Sequence, residues 1–333
     1  ENVYFSQWVE YRKMISNDIE TNKEDYEHGT AVSSIIVDGP TFNPKLDDGC
    51  GRFKVRHFGV ASGKQFNSFS ILRSINEIIT KNKDIKVWNL SLGSKLDIHP
   101  NFISPEAAIL DKIQFENDVI FVIAGTNLSR GETVVRPIGA PADSINSVVV
   151  NSVDDDKNPT PYSRKGPVLS FFIKPDISYY GGDSRNPMKV CTPNGEALVK
   201  GTSFAAPWIS RKLAYLINVL GLNRNIAKAL LINSATGWDI EQNNPELVGH
   251  GIVPKRIEDI VYCADDEIQF VIQGTSELYN TYNYNIPIPA NGQNAIMVEK
   301  GVYQLTGKVC ELQYETQKDL NKNLLVAIKR MED

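Results

Sequence analysis

One serine of this chain stands in a segment whose residue types suit attack on a carbonyl carbon. Ser203 lies in segment 201–207 (GTSFAAP), ahead of apolar residues at helical spacing. Because Pro207 is tolerated in the first turn of a helix, the serine is predicted at a helix start, near unpaired backbone N–H groups and the positive end of the helix dipole. A hydroxyl there can attack a carbonyl and leave the oxyanion close to those donors. A serine that only caps a buried helix fits the segment equally well.

A histidine far upstream and a short polar loop are the next candidates. His28 is followed by Gly29, Thr30 and a run of small and apolar residues. A serine hydroxyl is a weak nucleophile until a base removes its proton, and imidazole has a pKa suited to this near neutral pH. Taken alone, such a histidine is more often a capping or core residue. Segment 124–127 (AGTN) directly follows the apolar run 119–123, so it is predicted to be the loop at the end of a strand.

Alternating strand and helix patterns must position these segments. Helical periodicity predicts helices over 69–81, 105–116 and 226–234, besides the one that Ser203 begins. Apolar runs predict strands over 53–60, 85–92, 119–123 and 148–153, and Pro, Asp and Gly predict a loop over 40–51. This alternation indicates an α/β domain with a parallel sheet and right-handed crossovers.

The composition changes after Arg256. Short strand-like runs, separated by Asn, Gly and Pro, occupy residues 270–272, 282–288, 295–298, 303–312 and 324–328. Their spacing predicts a smaller β-sandwich appended to the α/β domain. We therefore predict two domains, residues 1–255 and residues 256–333.

Composition excludes several classes of function. The chain of 333 residues is 41% hydrophobic with a net charge of −5, which suits a globular core and argues against nucleic acid as a partner. It has no apolar run of about 18 residues, so no membrane span is expected. The four cysteines are scattered and the acidic run 154–156 lacks the glycine and distal glutamate of a calcium loop, so neither a metal nor a cofactor is expected. Without a secretory pattern at Glu1, a reduced, cytoplasmic setting is predicted.

Six segments, in this order, resemble those of subtilisin-like serine proteases, the subtilase family. They are the histidine segment 28–32, the strand 89–93 (NLSLG), the loop 124–127, the segment 162–176, the serine segment 201–207 and the glycine segment 249–253 (GHGIV). The resemblance runs from His28 to Val253. It implies a subtilisin-like parallel sheet flanked by helices and the activity of a serine endopeptidase on peptides or proteins.

The resemblance also implies roles for single residues. Ser203 would be the nucleophile and His28 the general base. The family reads Ala-Gly-Asn in the oxyanion loop where this chain reads Ala-Gly-Thr-Asn. We favour Asn127 as the side-chain donor because an amide N–H is a fixed donor, with the hydroxyl of Thr126 as the alternative. The residues implied for substrate binding are Ser91, Leu92, Gly93, Ala124 and Gly125.

The aspartate of the family's catalytic triad has no counterpart here. In the family it ends a first strand upstream of the histidine, in an Asp-Thr/Ser-Gly-like motif, and residues 1–27 contain no such motif. Asp18 and Asp25 lie in polar sequence without a strand pattern. We expect that the catalytic Asp is not in the chain, which would begin just after that strand. Loss of the aspartate from serine-protease triads lowers kcat by roughly 10⁴, so this chain is expected to turn substrate over slowly.

Two alternative hypotheses of function have weaker support in the sequence. The absent aspartate and the altered loop fit a catalytically inactive subtilase fold that binds peptides or regulates a partner. Ser203, Asp239 and His250 stand in the order of an α/β-hydrolase triad, but the serine segment lacks the second glycine of that nucleophile elbow. The C-terminal domain is a candidate contact for a protein partner.

Overall fold

The computed structural model describes residues 3–15, 21–62, 67–236 and 244–263, together with the backbone of three C-terminal strands. The strands are β1 (Val9–Lys13), β2 (Val55–Gly59), β3 (Val87–Leu90), β4 (Ile120–Ala124), β5 (Val148–Val153), β6 (Ile177–Tyr180), β7 (Met188–Thr192), β8 (Gly195–Val199), β9 (Ile268–Ser276), β10 (Tyr303–Gln313) and β11 (Lys322–Glu332). The helices are α1 (Glu24–Phe42), α2 (Ser68–Lys81), α3 (Pro105–Asn117), α4 (Thr202–Ala214), α5 (Arg224–Ser234), α6 (Pro245–Val248) and α7 (Glu258–Val261). None of the described helices is long and apolar enough to cross a bilayer.

A parallel sheet in the order β3-β4-β5-β6 forms the centre of the molecule. Every residue of β4 and β5 is buried, as expected of parallel strands that helices cover on both faces. Along β4 the side chains alternate between two cores. Ile120 and Val122 pack with α1, α4 and α5, whereas Phe121 and Ile123 pack with α2 and α3. The fold is therefore the predicted α/β arrangement of a parallel sheet flanked by helices.

Local signals set most helix starts. The side chains of Asn67, Ser104 and Asn223 accept hydrogen bonds from backbone N–H groups in the first turns of α2, α3 and α5. The helices and strands predicted from periodicity lie within a few residues of their observed bounds. The predicted loop over 40–51 is wrong at its start, because α1 continues past Pro40 to Phe42 after a non-helical residue at Asp38.

The strands β1 and β2 form a separate parallel pair. Within the described residues β2 pairs only with β1, and β3 pairs only with β4. Partial burial of all five β2 residues and of three of the four β3 residues contrasts with the full burial of β4. The rings of Phe58 on β2 and Trp88 on β3 have centroids 5.9 Å apart. In the part of the chain that the structure describes, the central layer thus consists of two parallel sheets, and β2 and β3 each have an edge that no described strand pairs.

The C-terminal strands form one antiparallel sheet in the order β10-β11-β9, which contacts α5. The second sheet of the predicted β-sandwich is not among the described residues, and the runs predicted over 282–288 and 295–298 lie outside them. Ile257 and Ile260 pack into the main core, on the C-terminal side of the predicted division at residue 255. That division stays a prediction.

Candidate active site

Ser203 is the second residue of α4. The helix is preceded by Gly201 with φ 151°, in the region of backbone conformation that favours glycine. The backbone N–H of Ser203 has no hydrogen-bond partner among the described residues, as is usual in a first helical turn. The side chain is partly exposed in a groove. A hydroxyl and a free N–H therefore meet at the positive end of a 13-residue helix.

A chain of side-chain hydrogen bonds ties the start of α4 to the end of β3. Asn89 donates from Nδ2 to the Ser91 hydroxyl at 2.9 Å, and Ser91 donates to the backbone carbonyl of Ser203 at 3.0 Å. Ser210, two turns along the helix, donates to Asn89 Oδ1 at 3.0 Å. These bonds fix the backbone of the candidate nucleophile against residues 89–91.

A buried ion pair anchors the other end of the same helix. Arg211 donates from Nε and Nη2 to the carboxylate of Asp48, both at 2.8 Å, and neither side chain is exposed. The guanidinium also donates to the backbone carbonyls of Ile36 and Gly51. Burial alone would raise the pKa of Asp48, but the hydrogen bonds from Arg211 hold this pKa below its ordinary value. Helix α4 is therefore held rigidly from both ends.

The loop after β4 brings Asn127 to the helix start. Its Oδ1 accepts hydrogen bonds from the backbone N–H of Thr202 at 3.0 Å and from the Thr202 hydroxyl at 3.1 Å. Because a backbone N–H can only donate, the oxygen must face Thr202, and the Nδ2 amide is left as a donor. A Cβ at Gly201 would lie 3.1 Å from that Nδ2. The amide therefore lies next to the residues that begin α4.

Thr126, the extra residue of the loop, uses its hydroxyl for hydrogen bonds within the protein. Thr126 is buried and adopts φ 67°, a left-handed conformation that is costly for a β-branched residue. Its hydroxyl donates to the carbonyl of Gly125 at 2.6 Å and accepts from the N–H of Gly139 at 3.0 Å. With its proton already donated, Thr126 has no hydrogen left for an oxyanion. The geometry therefore favours Asn127 over Thr126 as the side-chain donor.

His28 lies in the second turn of α1, with its side chain exposed and its ring centroid 5.8 Å from that of Phe204. It therefore stands beside the residue that follows Ser203. Desolvation by surrounding protein atoms lowers the pKa of the imidazole. Within the described residues no hydrogen bond joins the imidazole to Ser203. The structure thus brings His28 next to Phe204, the neighbour of Ser203, without a hydrogen bond between the two predicted residues.

A second histidine, which the sequence interpretation did not single out, lies behind His28. His57 on β2 forms a 3.2 Å hydrogen bond between Nδ1 and the Ser33 hydroxyl, and a Cβ at Gly29 would lie 2.6 Å from its ring. Burial, followed by nearby positive charge that includes His28, lowers the pKa of His57 to about 4. It is therefore a neutral imidazole at physiological pH. No motif surrounds His57, so only the close packing of α1 on β2 reveals it.

A cavity of about 460 Å³ opens beside Ser203. It is lined by two segments, residues 91–95 as one wall and residues 124 and 126–130 as the second wall, together with Thr202 and Ser203. Four of the five predicted substrate-binding residues line it. The fifth, Gly125, lies behind the wall, where a Cβ would be 2.0 Å from Asn151 Oδ1. A bound side chain in this cavity would leave its carbonyl close to Ser203.

The remaining candidates lie elsewhere or cannot be placed. Asp25 accepts a hydrogen bond from the backbone N–H of Asn22 at the start of α1. His250 lies after α6, where its N–H donates to the carbonyl of Asp176, and it does not line the cavity. Asp18 and Asp239 lie outside the described residues. No cluster of three potential metal ligands occurs among the residues that the structure describes.

The arrangement is similar to solved proteases at low sequence identity. The prenylagaramide maturation protease PagA superimposes with a TM-score of 0.58 at 21% identity, covering 78% of this chain and 88% of that one. A cold-adapted subtilisin-like serine proteinase superimposes with a TM-score of 0.55 at 17% identity, covering 77% and 83%. At this identity the likeness shows the fold.

Sequence comparisons identify the family. The uncharacterized protein y4bN of Sinorhizobium fredii is 24% identical over 273 residues, and the match spans 61% of this chain and 62% of that protein. Residues 272–331 match a domain of unknown function, DUF6759. Residues 2–251 match the profile of the subtilase family, peptidase S8, which is most of the chain. This protein therefore belongs to the subtilase family.

Proposed function

We propose that the chain is the peptidase part of a serine endopeptidase, in which Ser203 is the nucleophile and His28 the general base. The observation that carries the proposal is the donor pair at the start of α4. The Asn127 amide is fixed by two hydrogen bonds to Thr202, and the N–H of Ser203 has no partner among the described residues. Two fixed donors beside a serine at a helix N-terminus are what a tetrahedral oxyanion requires.

The steps follow from these groups. The neutral imidazole of His28 takes the proton of the Ser203 hydroxyl while the oxygen attacks the peptide carbonyl. The resulting oxyanion accepts hydrogen bonds from Ser203 N–H and Asn127 Nδ2. The imidazolium then gives its proton to the leaving amine, so that an acyl-enzyme remains. Water, activated by the same imidazole, releases the acid and restores the hydroxyl.

An extended peptide is proposed to lie along residues 91–93, with one side chain in the cavity beside Ser203. A Cβ at Gly93 would be 2.5 Å from Cγ2 of Thr126, so only glycine allows the two cavity walls to approach this closely. Pairing of the peptide backbone with this segment would supply binding that is independent of sequence. The cavity would supply the preference for one side chain.

The third member of the triad is proposed to reach His28 from the gap between β2 and β3. Both strands have edges that no described strand pairs, and both are only partly buried. A parallel strand in this gap would join the two parts of the sheet and could end in a carboxylate behind the imidazole. In this proposal the aspartate is not one of the 333 residues. It would fix the tautomer of His28 and stabilise the imidazolium.

A fluorophosphonate probe tests the proposal directly, because it labels only an activated serine. We expect labelling that maps to Ser203, is lost in Ser203→Ala and falls strongly in His28→Gln. Thermal unfolding of each variant controls for the fold. Labelling of another residue, or none with residues encoded before Glu1 also present, would support the inactive, peptide-binding alternative instead.

The C-terminal residues are proposed to form a β-sandwich that contacts a protein partner or limits access of substrate. The contact of the observed sheet with α5 supports a fixed position on the peptidase part. Because Ile257 and Ile260 belong to the main core, a truncation should follow Cys263 rather than Arg256. A truncated protein with unchanged folding, partner capture and substrate range would refute this role.

A further inference from the structure

The cavity beside Ser203 is lined by two basic residues, one from each of its two walls. Lys95 ends the wall formed by residues 91–95, and Arg130 ends the wall formed by residues 126–130. Both side chains are exposed. Neither forms an ion pair with a carboxylate in the described part of the chain. The cavity lining contains no aspartate or glutamate.

The nearest carboxylates in sequence are already neutralised. Asp97 binds Arg136 at 2.9 Å and lies 3.4 Å from the guanidinium of Arg164. Glu132 binds the same Arg136 at 2.9 Å and accepts a hydrogen bond from the N–H of Ser129 at 2.8 Å. Those hydrogen bonds, the Ser129 N–H first, lower the pKa of Glu132. Neither carboxylate is therefore available to compensate the charges of Lys95 and Arg130.

A buried guanidinium supports the Lys95 wall from behind. Arg164 is fully buried and donates to the carbonyl of Lys95 at 2.7 Å and to that of Pro137 at 3.3 Å. Its Nε has no hydrogen-bond partner among the described residues. Arg164 thus fixes the position of the Lys95 wall, while Asp97 at 3.4 Å balances its charge. The charged residues of the cavity lining are therefore Lys95 and Arg130, both of them cations.

We infer that this cavity selects an acidic side chain, aspartate or glutamate, at the substrate residue whose carbonyl Ser203 attacks; the inference rests on the proposed endopeptidase function. A volume of about 460 Å³ is ample for either side chain. Leu92 and Leu128 in the walls would also accept an apolar side chain, so charge is the feature that discriminates. Exposed ion pairs contribute about two- to fivefold in affinity each, so the two cations together should favour Glu over Gln roughly tenfold at low salt.

Peptide binding tests the inference without requiring turnover. Fluorescent peptides that differ only in a C-terminal Glu, Gln, Leu or Lys mimic the acyl product and place that residue in the cavity. Their anisotropy is titrated with the Ser203→Ala protein. We expect the Glu peptide to bind roughly tenfold more tightly than the Gln peptide, and this ratio to shrink with added salt. The double variant Lys95→Gln/Arg130→Gln should abolish the ratio.

A matched control removes two cations outside the cavity. Lys83→Gln/Arg73→Gln changes the net charge equally, on an exposed loop and on α2, and should keep the ratio. Equal binding of Glu and Gln peptides, tighter binding of the Leu or Lys peptide, no binding of any peptide, or a ratio that survives the Lys95/Arg130 change would overturn the inference. Failure of the proposed function is distinct, since it shows as absent probe labelling of Ser203 in the unsubstituted protein.

Discussion

Replacement of Asn127 by leucine removes the side-chain amide that, among the described residues, hydrogen-bonds directly to Thr202 at the start of α4. The carbonyl of this amide is held at 3.0 and 3.1 Å by Thr202, so its N–H lies in one orientation before any substrate arrives. In subtilisin itself, a member of the same family, loss of the oxyanion asparagine costs about 10²–10³ in kcat, or about 2.7–4 kcal/mol. Because two hydrogen bonds from Thr202 orient the Asn127 amide, we predict a loss of rate in the same range for Asn127→Leu.

Two neighbouring variants separate Asn127 from the alternative donor. Thr202→Val removes one of the two hydrogen bonds that orient the amide, and a neutral hydrogen bond of about 1 kcal/mol predicts a roughly fivefold loss of rate. Thr126→Val keeps the β-branched shape and removes a hydroxyl that bonds only to Gly125 and Gly139. It should lower the free energy of unfolding by about 1–3 kcal/mol and leave the rate nearly unchanged.

The second-order rate constant for fluorophosphonate labelling of Ser203 reports this step, because negative charge develops on the phosphoryl oxygen as the serine attacks. Urea unfolding of each variant separates lost stability from lost rate. The expected order of rates is unsubstituted protein and Thr126→Val, then Thr202→Val, then Asn127→Leu. A larger loss for Thr126→Val than for Asn127→Leu would refute the argument and assign the hydroxyl as donor.

Three further predictions concern buried charge and protonation. Arg211→Met leaves the Asp48 carboxylate buried without its ion-pair partner and should lower the free energy of unfolding in urea by about 3–5 kcal/mol, whereas Arg211→Met/Asp48→Leu should recover much of this loss. Because desolvation lowers the pKa of His28, the imidazole stays neutral into mild acid, and the labelling rate of Ser203 should fall only below about pH 6.5. His57, with a pKa of about 4, stays neutral in the folded state where the unfolded chain binds a proton. Stability should therefore fall by up to about 3 kcal/mol as the pH drops from 6.5 to 4, and His57→Gln should flatten this slope.

Each of these predictions has a clear contrary outcome. If the Arg211/Asp48 double variant is no more stable than Arg211→Met, packing rather than unpaired charge accounts for the loss. An acid limb of labelling centred above pH 6.5 would mean that a carboxylate or hydrogen bond stabilises the His28 imidazolium. An unchanged pH slope in His57→Gln would assign the acid sensitivity to other groups.

The sheet and its helices could be predicted because their patterns are local. The continuous apolar runs of β4 and β5 mark strands covered on both faces, and α2 shows a clear apolar stripe with an Asn67 cap. The strands β6, β7 and β8 are short and carry polar residues, so no periodicity reveals them. The kink at Asp38 could not be predicted either, because a proline at position 40 indicates a helix end in the sequence.

Residues of the candidate site that lie in sequence motifs could be predicted, whereas those that reach the site only through tertiary packing could not. Spacing could nominate Ser203, His28 and both loop residues, but it could not decide between Thr126 and Asn127. That choice needs the left-handed turn at Thr126 and the bonds of its hydroxyl. The position of His57 and the pairing of the two cavity walls depend on contacts between segments far apart in the chain. No local sequence pattern predicts such contacts.

Helix packing, rather than the divided sheet, positions the candidate nucleophile Ser203 and the candidate base His28. Ala31, Val32 and Ile35 of α1 share one core with Ala205 of α4, which fixes the distance between the helices that carry His28 and Ser203. The gap between β2 and β3 therefore leaves this distance intact. The rotation of the imidazole is not fixed in the same way, because no described residue donates a hydrogen bond to the His28 ring or accepts one from it. A carboxylate in that gap would act on the orientation and tautomer of His28 and on the stability of its imidazolium, and not on its distance from Ser203. Its absence should therefore lower the rate of Ser203 chemistry without weakening binding of peptide to the cavity.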